Sequence, residues 1–297
     1  MKKPLKQIRR VGIVANSGKA SARGVVRAAA ALVTRSGREV VCDVATAELA
    51  NFNGLTCAGV AALTKRVDLI LVFGGDGTML RVAREMNGSR TPILGINVGG
   101  LGFLTGVTSS ELMLALKHLW NGEFILDSRA LIEATAQLGD RFIHTLALND
   151  FVISRGIVSR LIELEVSVDG ETLTTYRCDG LIVSSPTGST AYSLSAGGAV
   201  VSPSAEVFSL TPICPHTLSN RSVMVRLDSR IDVKVVSERL ETILSADGIH
   251  EAQLNAGDVI TVCRSQNSVN LVHLAGTSFF QTLRRKLHWR GSTISEK

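Results

Sequence analysis

The sequence predicts two domains of different class: an α/β domain with a parallel sheet and flanking helices, and an all-β domain built as a two-sheet sandwich. Up to residue 126, apolar strand patterns alternate with helical patterns, which is typical of a parallel sheet covered by helices. From about Arg129 the hydrophobic period is two, as expected for antiparallel strands with one buried face. The chain has 297 residues, 45% of them hydrophobic, so each domain can bury a core.

The first domain is predicted at residues 1–126, with strands and helices in alternation. The strands are predicted at 11–15, 40–44, 68–73 and 92–96, and the helices at 21–35, from 78 onward and at 111–120. Three strands are followed by loops rich in Gly and Asn, at 16–18, 74–77 and 97–102. Ligands on such sheets bind beyond the carboxyl ends of the strands, so these loops are the first candidates for a binding site.

The second domain is predicted at residues 127–275, where short strands are separated by turn signals. Alternating patterns occur at 161–168, 231–236 and 269–274. The turn signals are Gly139-Asp140, Asp169-Gly170, Asp247-Gly248 and Gly257-Asp258. The C-terminal segment, residues 276–297, is predicted to form an amphipathic helix from about Phe279 to Trp289 that packs back on the first domain.

Composition narrows the class of ligand and partner. The net charge of +6 suits an acidic small molecule such as a nucleotide. Basic residues lack interleaved aromatic residues, so no nucleic acid partner is expected. The five cysteines form no Cys-x-x-Cys and the six histidines form no ligand pair, so reduced thiols, a cytoplasmic location and no zinc site are expected. No apolar stretch is long enough to span a bilayer, and no membrane partner is expected.

The most informative motif is Gly74-Gly75-Asp76-Gly77-Thr78, which follows an apolar strand and precedes a helical pattern. Gly74, Gly75, Gly77 and Thr78 are predicted to form a phosphate loop, because glycine lets the backbone approach a ligand and a helix start attracts anions. Asp76 would repel a phosphate unless a metal bridges the two or the acid has a chemical task. The motif therefore indicates phosphoryl transfer with Mg²⁺.

A second polar motif lies in the β-rich half, over residues 184–198. It combines seven Ser and Thr hydroxyls with Tyr192 and several glycines. Hydroxyls at this density can bind ribose, and a tyrosine ring can stack on a base. A serine hydrolase using Ser189 or Ser195 is disfavoured, because no Gly-x-Ser-x-Gly elbow occurs. A P-loop kinase is disfavoured as well, because Gly-x-x-x-x-Gly-Lys-Ser/Thr does not occur.

The ordered set of motifs resembles the bacterial NAD kinases. The glycine motif alone is similar to a signature shared with diacylglycerol-type lipid kinases and phosphofructokinases. The set that carries the resemblance is Gly-Gly-Asp-Gly-Thr at 74–78, Leu-Gly-Ile-Asn at 94–97, Asn149-Asp150, Asp179-Gly180, Ser-Pro-Thr-Gly-Ser-Thr-Ala-Tyr at 185–192 and Pro-His-Thr-Leu-Ser at 215–219. The run at 185–192 is the most specific of these, and the resemblance extends from about residue 10 to 290.

The resemblance implies phosphorylation of the adenosine ribose 2′-hydroxyl of NAD by ATP, with Mg²⁺ as the divalent cofactor and NADP as the product. It implies that Asp76 accepts the proton and that Mg²⁺ is held by nucleotide phosphates, with no metal site of protein ligands alone. It also implies a homo-oligomer, a dimer or tetramer. The implied NAD contacts are Asp76, Gly77, Asn149, Asp150, Arg160, Arg177, Asp179, Thr187, Thr190, Ala191, Tyr192, Ser193, Leu194 and Ser195.

Two departures and several alternatives accompany this interpretation. Many relatives carry Glu at the position of Asp150, and Ile249 stands where the family often carries Gln, so its side chain cannot form a hydrogen bond. A diacylglycerol-type lipid kinase and a non-catalytic dinucleotide sensor are the alternative functions. A lipid kinase would need an apolar cleft, and a sensor has no use for Asp76. The choice of ATP or polyphosphate as donor, and of NADH as acceptor, stays open.

Overall fold

A computed structural model describes residues 8–19, 21–100, 102–157, 160–217, 219–238, 240–274, 276 and 278–289. Residues 1–7 and 290–297 of the predicted first domain and C-terminal segment lie outside these ranges, as do Leu101 of the 97–102 loop and Leu218 of the 215–219 motif. The chain divides into two compact units, the first made of Met1–Ser128 with Val269–Lys297 and the second of Arg129–Ser268.

The first unit contains the predicted parallel sheet. Its strands are β1 (Arg10–Ala15), β2 (Glu39–Asp43), β3 (Leu55–Cys57), β4 (Leu69–Gly74), β5 (Ile93–Asn97) and the short β6 (Val107–Thr108). The order across the sheet is β5-β4-β1-β2-β3, and neighbouring strands are parallel. Every residue of β4 and β5 is buried, as expected for central strands covered on both faces.

Among the described residues, four helices connect these strands and a fifth follows β6. They are α1 (Ala22–Arg35), α2 (Val44–Ala50), α3 (Val60–Thr64), α4 (Asp76–Glu85) and α5 (Leu112–Trp120). In α1 the buried residues Ala22, Val26, Ala29 and Val33 recur at helical spacing and pack into the core with strand residues such as Ile13 and Leu71. The predicted alternation of strands and helices is therefore confirmed, although Val44, expected at the end of a strand, begins α2.

The second unit consists mainly of antiparallel strands in two sheets, as predicted. Its strands are β7 (Phe124–Leu138, in this unit from Arg129 onward), β8 (Arg141–Ala147), β9 (Asp150–Arg155), β10 (Ile162–Val168), β11 (Glu171–Cys178), β12 (Gly180–Ser184), β13 (Val207–Ile213), β14 (Val223–Arg226), β15 (Ile231–Val235), β16 (Thr242–Ala246), β17 (Ile249–Leu254) and β18 (Val259–Leu274, in this unit up to Ser268). One sheet has the order β14-β13-β12-β9-β16-β17. The other contains β11-β10-β15-β18, with β7 and β8 alongside.

One apolar core joins the two sheets of the second unit. Phe151 and Leu181 come from the first of them, and Leu164 and Val233 come from the second. Alternate residues of β10 and β15 are buried, which matches the period of two in the sequence. A short helix, α6 (Tyr192–Ser195), follows a 3₁₀ turn at Thr187–Thr190.

Predicted turns lie where the sequence placed them. Asp169-Gly170 joins β10 to β11 with φ angles of 53° and 84°, and Asp247-Gly248 joins β16 to β17 with 49° and 78°. Two successive positive φ angles are the mark of the type I′ hairpin turn, which Asp-Gly favours.

The last helix of the described residues, α7, spans Phe279–Lys286 and so ends earlier than the predicted Trp289.

Candidate active site

The three Gly- and Asn-containing loops of the first unit follow the neighbouring strands β1, β4 and β5. The backbone N–H of Asn16 donates to the carbonyl of Phe73 at 3.0 Å, and that of Val98 donates to the carbonyl of Gly74 at 3.3 Å. Hydrogen bonds thus join the start of each outer loop to the end of β4. The loops lie side by side at the carboxyl edge of the sheet, where ligands of α/β domains bind.

The glycine loop forms the start of α4. Gly75 is the N-cap, and its carbonyl accepts hydrogen bonds from Thr78 and Met79 at 3.0 and 3.2 Å. A Cβ at Gly74 would lie 2.2 Å from Oγ1 of Thr78, so the turn requires glycine there while Thr78 keeps its buried position. The first N–H groups of a helix have no acceptor within the helix and lie at the positive end of its dipole, so this helix start can attract an anion.

Asp76 is the first residue of α4 and is half-buried. Its Oδ2 accepts the N–H of Phe103 at 2.8 Å, and its Oδ1 accepts the N–H of Leu104 at 3.0 Å. A Cβ at Gly102 would lie 1.9 Å from Oδ1, so glycine is needed for this approach. Two of the roughly four lone-pair positions of the carboxylate are used this way, and the others can accept a hydroxyl proton.

The loop that holds Asp76 is itself fixed by Asn97, which ends β5 and is buried. Its amide donates to the carbonyl of Gly100 at 2.5 Å and to Oγ1 of Thr105 at 3.0 Å, and its oxygen accepts from Gly99 at 2.6 Å. The same Thr105 hydroxyl accepts the N–H of Gly102 at 3.2 Å. The sequence indicated a loop here but not its contact with Asp76, because that contact joins residues far apart in the chain.

In the second unit, Asn149 and Asp150 stand at the start of β9 and are buried, with exposed fractions of 9% and 4%. The carbonyl of Asn149 accepts the N–H of Ser185 at 2.8 Å, and Oγ of Ser185 donates to the carbonyl of Leu148 at 2.6 Å. Burial raises the pKa of Asp150 from 3.8 to about 7, and the nearby carboxylate of Asp247 adds to the rise. The structure therefore brings the 149–150 and 185–188 motifs together.

The hydroxyl-rich segment divides into structural and accessible side chains. Ser189 is fully buried, and its Oγ donates to the carbonyl of Pro186 at 2.7 Å and accepts the N–H of Val201 at 3.0 Å. Ser193 is equally buried, 3.1 Å from the hydroxyl of Thr211. Neither serine is placed as a nucleophile for an external substrate. Within the 187–195 segment, the predicted NAD contacts whose side chains are exposed or half-buried are Thr190, Ala191, Tyr192, Leu194 and Ser195.

Arginine contacts in this unit were not foreseen from the sequence. Arg129 is buried and donates to Oγ1 of the predicted contact Thr187 at 3.2 Å. Arg155 donates from Nε to Oδ1 of Asp179 at 2.7 Å and so orients that carboxylate. Neither arginine lies in a recognisable motif, so only the fold reveals these pairs.

The two predicted arginine contacts are both exposed. Arg177 lies 3.9 Å from Glu163, in a weak surface pair on the adjacent strand, and Arg160 lies in the segment before β10. Their assignment to NAD stays a prediction, as do the other NAD contacts. Within the described ranges, no three acidic, His or Cys side chains are grouped as a metal site would require, and no helix is long and apolar enough to cross a membrane.

Comparison with known proteins identifies the family of the chain. The ATP-NAD kinase N-terminal domain matches residues 11–124, and the ATP-NAD kinase C-terminal domain matches residues 148–274. The NAD kinase of Thiobacillus denitrificans is 38% identical over 280 residues, which cover 94% of this chain and 96% of that protein. The NAD kinase of Moorella thermoacetica is 47% identical over 223 residues, 75% of this chain and 72% of that protein.

Two solved structures are also similar. The crystal structure of yeast NADH kinase complexed with NADH has a TM-score of 0.90 and 27% identity, covering 98% of this chain and 91% of that one. The structure of an NAD kinase from Archaeoglobus fulgidus in complex with ATP has a TM-score of 0.74 and 28% identity, covering 95% and 100%.

The α/β unit with its glycine loop and the antiparallel second unit define a two-domain phosphotransferase. The chain belongs to the ATP-NAD kinase family and has the function of a bacterial NAD kinase, a transferase.

Proposed function

We propose that the enzyme transfers the γ-phosphoryl group of ATP to the 2′-hydroxyl of the adenosine ribose of NAD, giving NADP and ADP in a Mg²⁺-dependent reaction. Family membership supports the substrates, and the solved relatives with NADH and ATP support a fold that accepts both nucleotides. We further propose that the enzyme is cytoplasmic, in keeping with the five free thiols, and that it is a homo-oligomer, a dimer or tetramer, as the family resemblance implies.

The observation that carries the proposal is the carboxylate of Asp76 at the start of α4. A ribose hydroxyl is a poor nucleophile at neutral pH, and a carboxylate within hydrogen-bond reach can take its proton as the bond to phosphorus forms. The N–H groups of Phe103 and Leu104 fix the orientation of Asp76 and leave lone pairs for that proton. We therefore assign Asp76 as the general base.

We assign the donor phosphates to the backbone of residues 74–78, where the start of α4 favours an anion. These residues fit a Mg²⁺ ion bound by nucleotide phosphates better than one held by protein ligands alone, because residues 74–78 supply a single carboxylate, that of Asp76. When bound, Mg²⁺ supplies neutralisation of the charge that develops on the transferred phosphoryl group. The backbone of residues 74–78 would contribute by positioning the donor phosphates for transfer.

We assign the acceptor to Asn149, Asp150 and Asp179 and to the exposed part of the 187–195 segment. Tyr192 has 47% of its surface exposed, so its ring is accessible for stacking on a base. The carboxylate of Asp179 is held by Arg155 and can accept from a sugar hydroxyl or the adenine amine. The hydroxyl-rich composition of residues 184–195 argues against a lipid substrate, because acyl chains need an apolar surface.

The test is incubation of the purified enzyme with NAD, ATP and Mg²⁺, with NADP measured by a coupled dehydrogenase. Phosphorus NMR should locate the new phosphate on the 2′-oxygen, and NAD with a 2′-deoxy adenosine ribose should bind without giving product. The same assay with NADH in place of NAD and polyphosphate in place of ATP settles the substrate range. Phosphate at another oxygen, or turnover of a diacylglycerol, would contradict the proposal.

A further inference from the structure

Asp247 lies in the tight turn between β16 and β17, and its carboxylate binds the segment that leads into β9. Oδ2 accepts the N–H of Leu148 at 2.9 Å, and Oδ1 accepts the N–H groups of Asn149 and Asp150 at 2.8 and 3.2 Å. The N–H of Asp247 donates to the carbonyl of Asp150 at 3.0 Å. One carboxylate therefore fixes three successive peptide groups.

The sheet explains why this side chain reaches that segment. β9 pairs with β16 in antiparallel register, and the pairing ends with Phe151 opposite Ala246. Asp247 is the next residue and takes a left-handed φ of 49°, a conformation that Asp and Asn tolerate better than most residues. The turn directs its carboxylate back along the sheet, where it bonds to backbone N–H groups just beyond the last paired residues of β9 and β16.

The opposite side of the same segment is also fixed. Ser185 bonds to the carbonyls of Leu148 and Asn149, and a Cβ at Gly188 would lie 2.2 Å from the carbonyl oxygen of Asn149. The carbonyls of Leu148 and Asn149 are thus bound from the β12 side of β9 and the three N–H groups from the β16 side. Among these contacts the charged acceptor is the carboxylate of Asp247, and hydrogen bonds to a charged group are about twice as strong as neutral ones.

We propose that Asp247 is a positioning residue for the acceptor nucleotide, acting by holding the backbone of 148–150 so that the side chains of Asn149 and Asp150 face NAD in one orientation. The inference rests on the proposed function, which assigns those two side chains to NAD. A second Asp-Gly turn provides a comparison within the same unit. Asp169 has the same left-handed conformation and accepts the backbone N–H of Arg230 at 2.8 Å, but it contacts no assigned NAD residue.

The test compares Asp247→Asn and Asp247→Gly with the control Asp169→Asn. Asn and Gly both tolerate the left-handed turn, so each variant removes the carboxylate and keeps the backbone conformation. Both Asp247 variants should raise the KM for NAD about tenfold or more, the factor for losing a charged hydrogen bond, while the KM for ATP stays within about twofold. Hydrogen exchange at the amides of 148–150 should speed up. The control Asp169→Asn should leave the KM for NAD and the exchange at these amides unchanged.

The other outcomes distinguish failure of the positioning role of Asp247 from failure of the proposed function. An unchanged KM for NAD in both Asp247 variants of an active enzyme overturns this inference and leaves the proposed function intact. Equal rises in both KM values, with a general loss of stability, overturn it as well, since that is the behaviour of a purely structural residue. If the unsubstituted enzyme makes no NADP, the proposed function fails, and calorimetric titration with NAD decides: weaker binding by the variants supports the role of Asp247, and equal binding overturns it.

Discussion

Two of the carboxylates that the motifs single out, Asp76 and Asp150, lie in contrasting surroundings. Asp76 is half-buried at a helix start, and each of its oxygens accepts a backbone N–H. Asp150 is buried at a strand start beside a second carboxylate, and its pKa is raised to about 7. The same residue type is thus held by backbone hydrogen bonds in one unit and desolvated, with a raised pKa, in the other.

Both regions combine close glycine approaches with side-chain hydrogen bonds, but a different contact holds each carboxylate. Asp76 is approached closely by Gly102, and the amide of Asn97 fixes the loop that contains this glycine. The segment around Asp150 is held by the carboxylate of Asp247 and the hydroxyl of Ser185, with a close approach at Gly188. We therefore expect an added atom at Gly102 to disturb the first region and the loss of the Asp247 carboxylate to disturb the second. The predictions below test this difference, starting with the largest expected effect.

Replacing Asp76 should have the largest effect. Asp76→Asn should lower kcat by about 10² to 10⁴, the range for loss of a general base, while the Kd for NAD stays within a few-fold. The amide keeps the shape of the side chain but lacks the basic oxygen. Because its NH₂ group would face one of the two N–H donors, thermal unfolding of the variant should be measured beside its kinetics. Near wild-type kcat would make Asp76 a binding residue.

The substitution Gly102→Ala, which adds one methyl group, should have the second largest effect on turnover. The new Cβ would overlap Oδ1 of Asp76, so Gly102→Ala must displace the carboxylate or the loop. A displacement of about 1 Å at a reacting group can cost roughly 10² in rate, and we expect a kcat loss of that order. Gly100→Ala is the matched control, because a Cβ there meets no atom within 4 Å. Equal kcat values for the two variants would refute the link between loop and base.

Removing the exposed ring of Tyr192 should have a smaller effect confined to one substrate. Tyr192→Ala should raise the KM for NAD several-fold, up to about tenfold for loss of a stacking contact, and leave the KM for ATP unchanged. Phe142→Ala is the control, since Phe142 is an exposed aromatic residue of the same unit on β8. A selective rise in the KM for ATP would mean that the two nucleotides are assigned the wrong way round.

Much of the fold could be predicted because strands, helices and tight turns depend on residues that are close together in the sequence. The β4–loop–α4 unit follows from an apolar run, three glycines and a helical pattern in sequence, and the hairpin turns follow from Asp-Gly pairs. The short elements α2, β3 and α3 were not predicted, because so few residues carry little periodicity. β18 begins at Val259, ten residues before the predicted strand, since the polar stretch 264–268 hides its alternation.

Contacts that assemble the site were harder to predict because they join distant residues. The bonds from Phe103 and Leu104 to Asp76 span 27 and 28 residues, and those to Asp247 span 97 to 99. Seven hydroxyls in one segment suggested ligand binding, yet Ser189 and Ser193 bind other parts of the protein. Sequence identifies such residues as polar and clustered, but the fold decides whether they face a ligand or the core.

The last prediction concerns stability rather than catalysis and tests the environment of Asp150 directly. Its pKa rises from 3.8 to about 7 on folding, so between these pH values the folded state binds more protons than the unfolded state. The free energy of unfolding should then fall as pH increases from 4 to 7, with the full penalty present above pH 7. Asp150→Asn carries no charge and escapes this penalty, which is on the order of 1.4 kcal/mol for each unit of pKa shift.

Urea unfolding of the ligand-free enzyme at pH 5, 6, 7 and 8 should therefore show Asp150→Asn as more stable than wild type at pH 8, with the difference shrinking as pH falls. Asp169→Asn is the control with the opposite sign. The N–H of Arg230 holds the pKa of Asp169 below its usual value, so removing that carboxylate should destabilise the protein at neutral pH. A pH-independent difference between wild type and Asp150→Asn would show that Asp150 keeps an ordinary pKa, and the contrast with Asp76 would then rest on geometry alone.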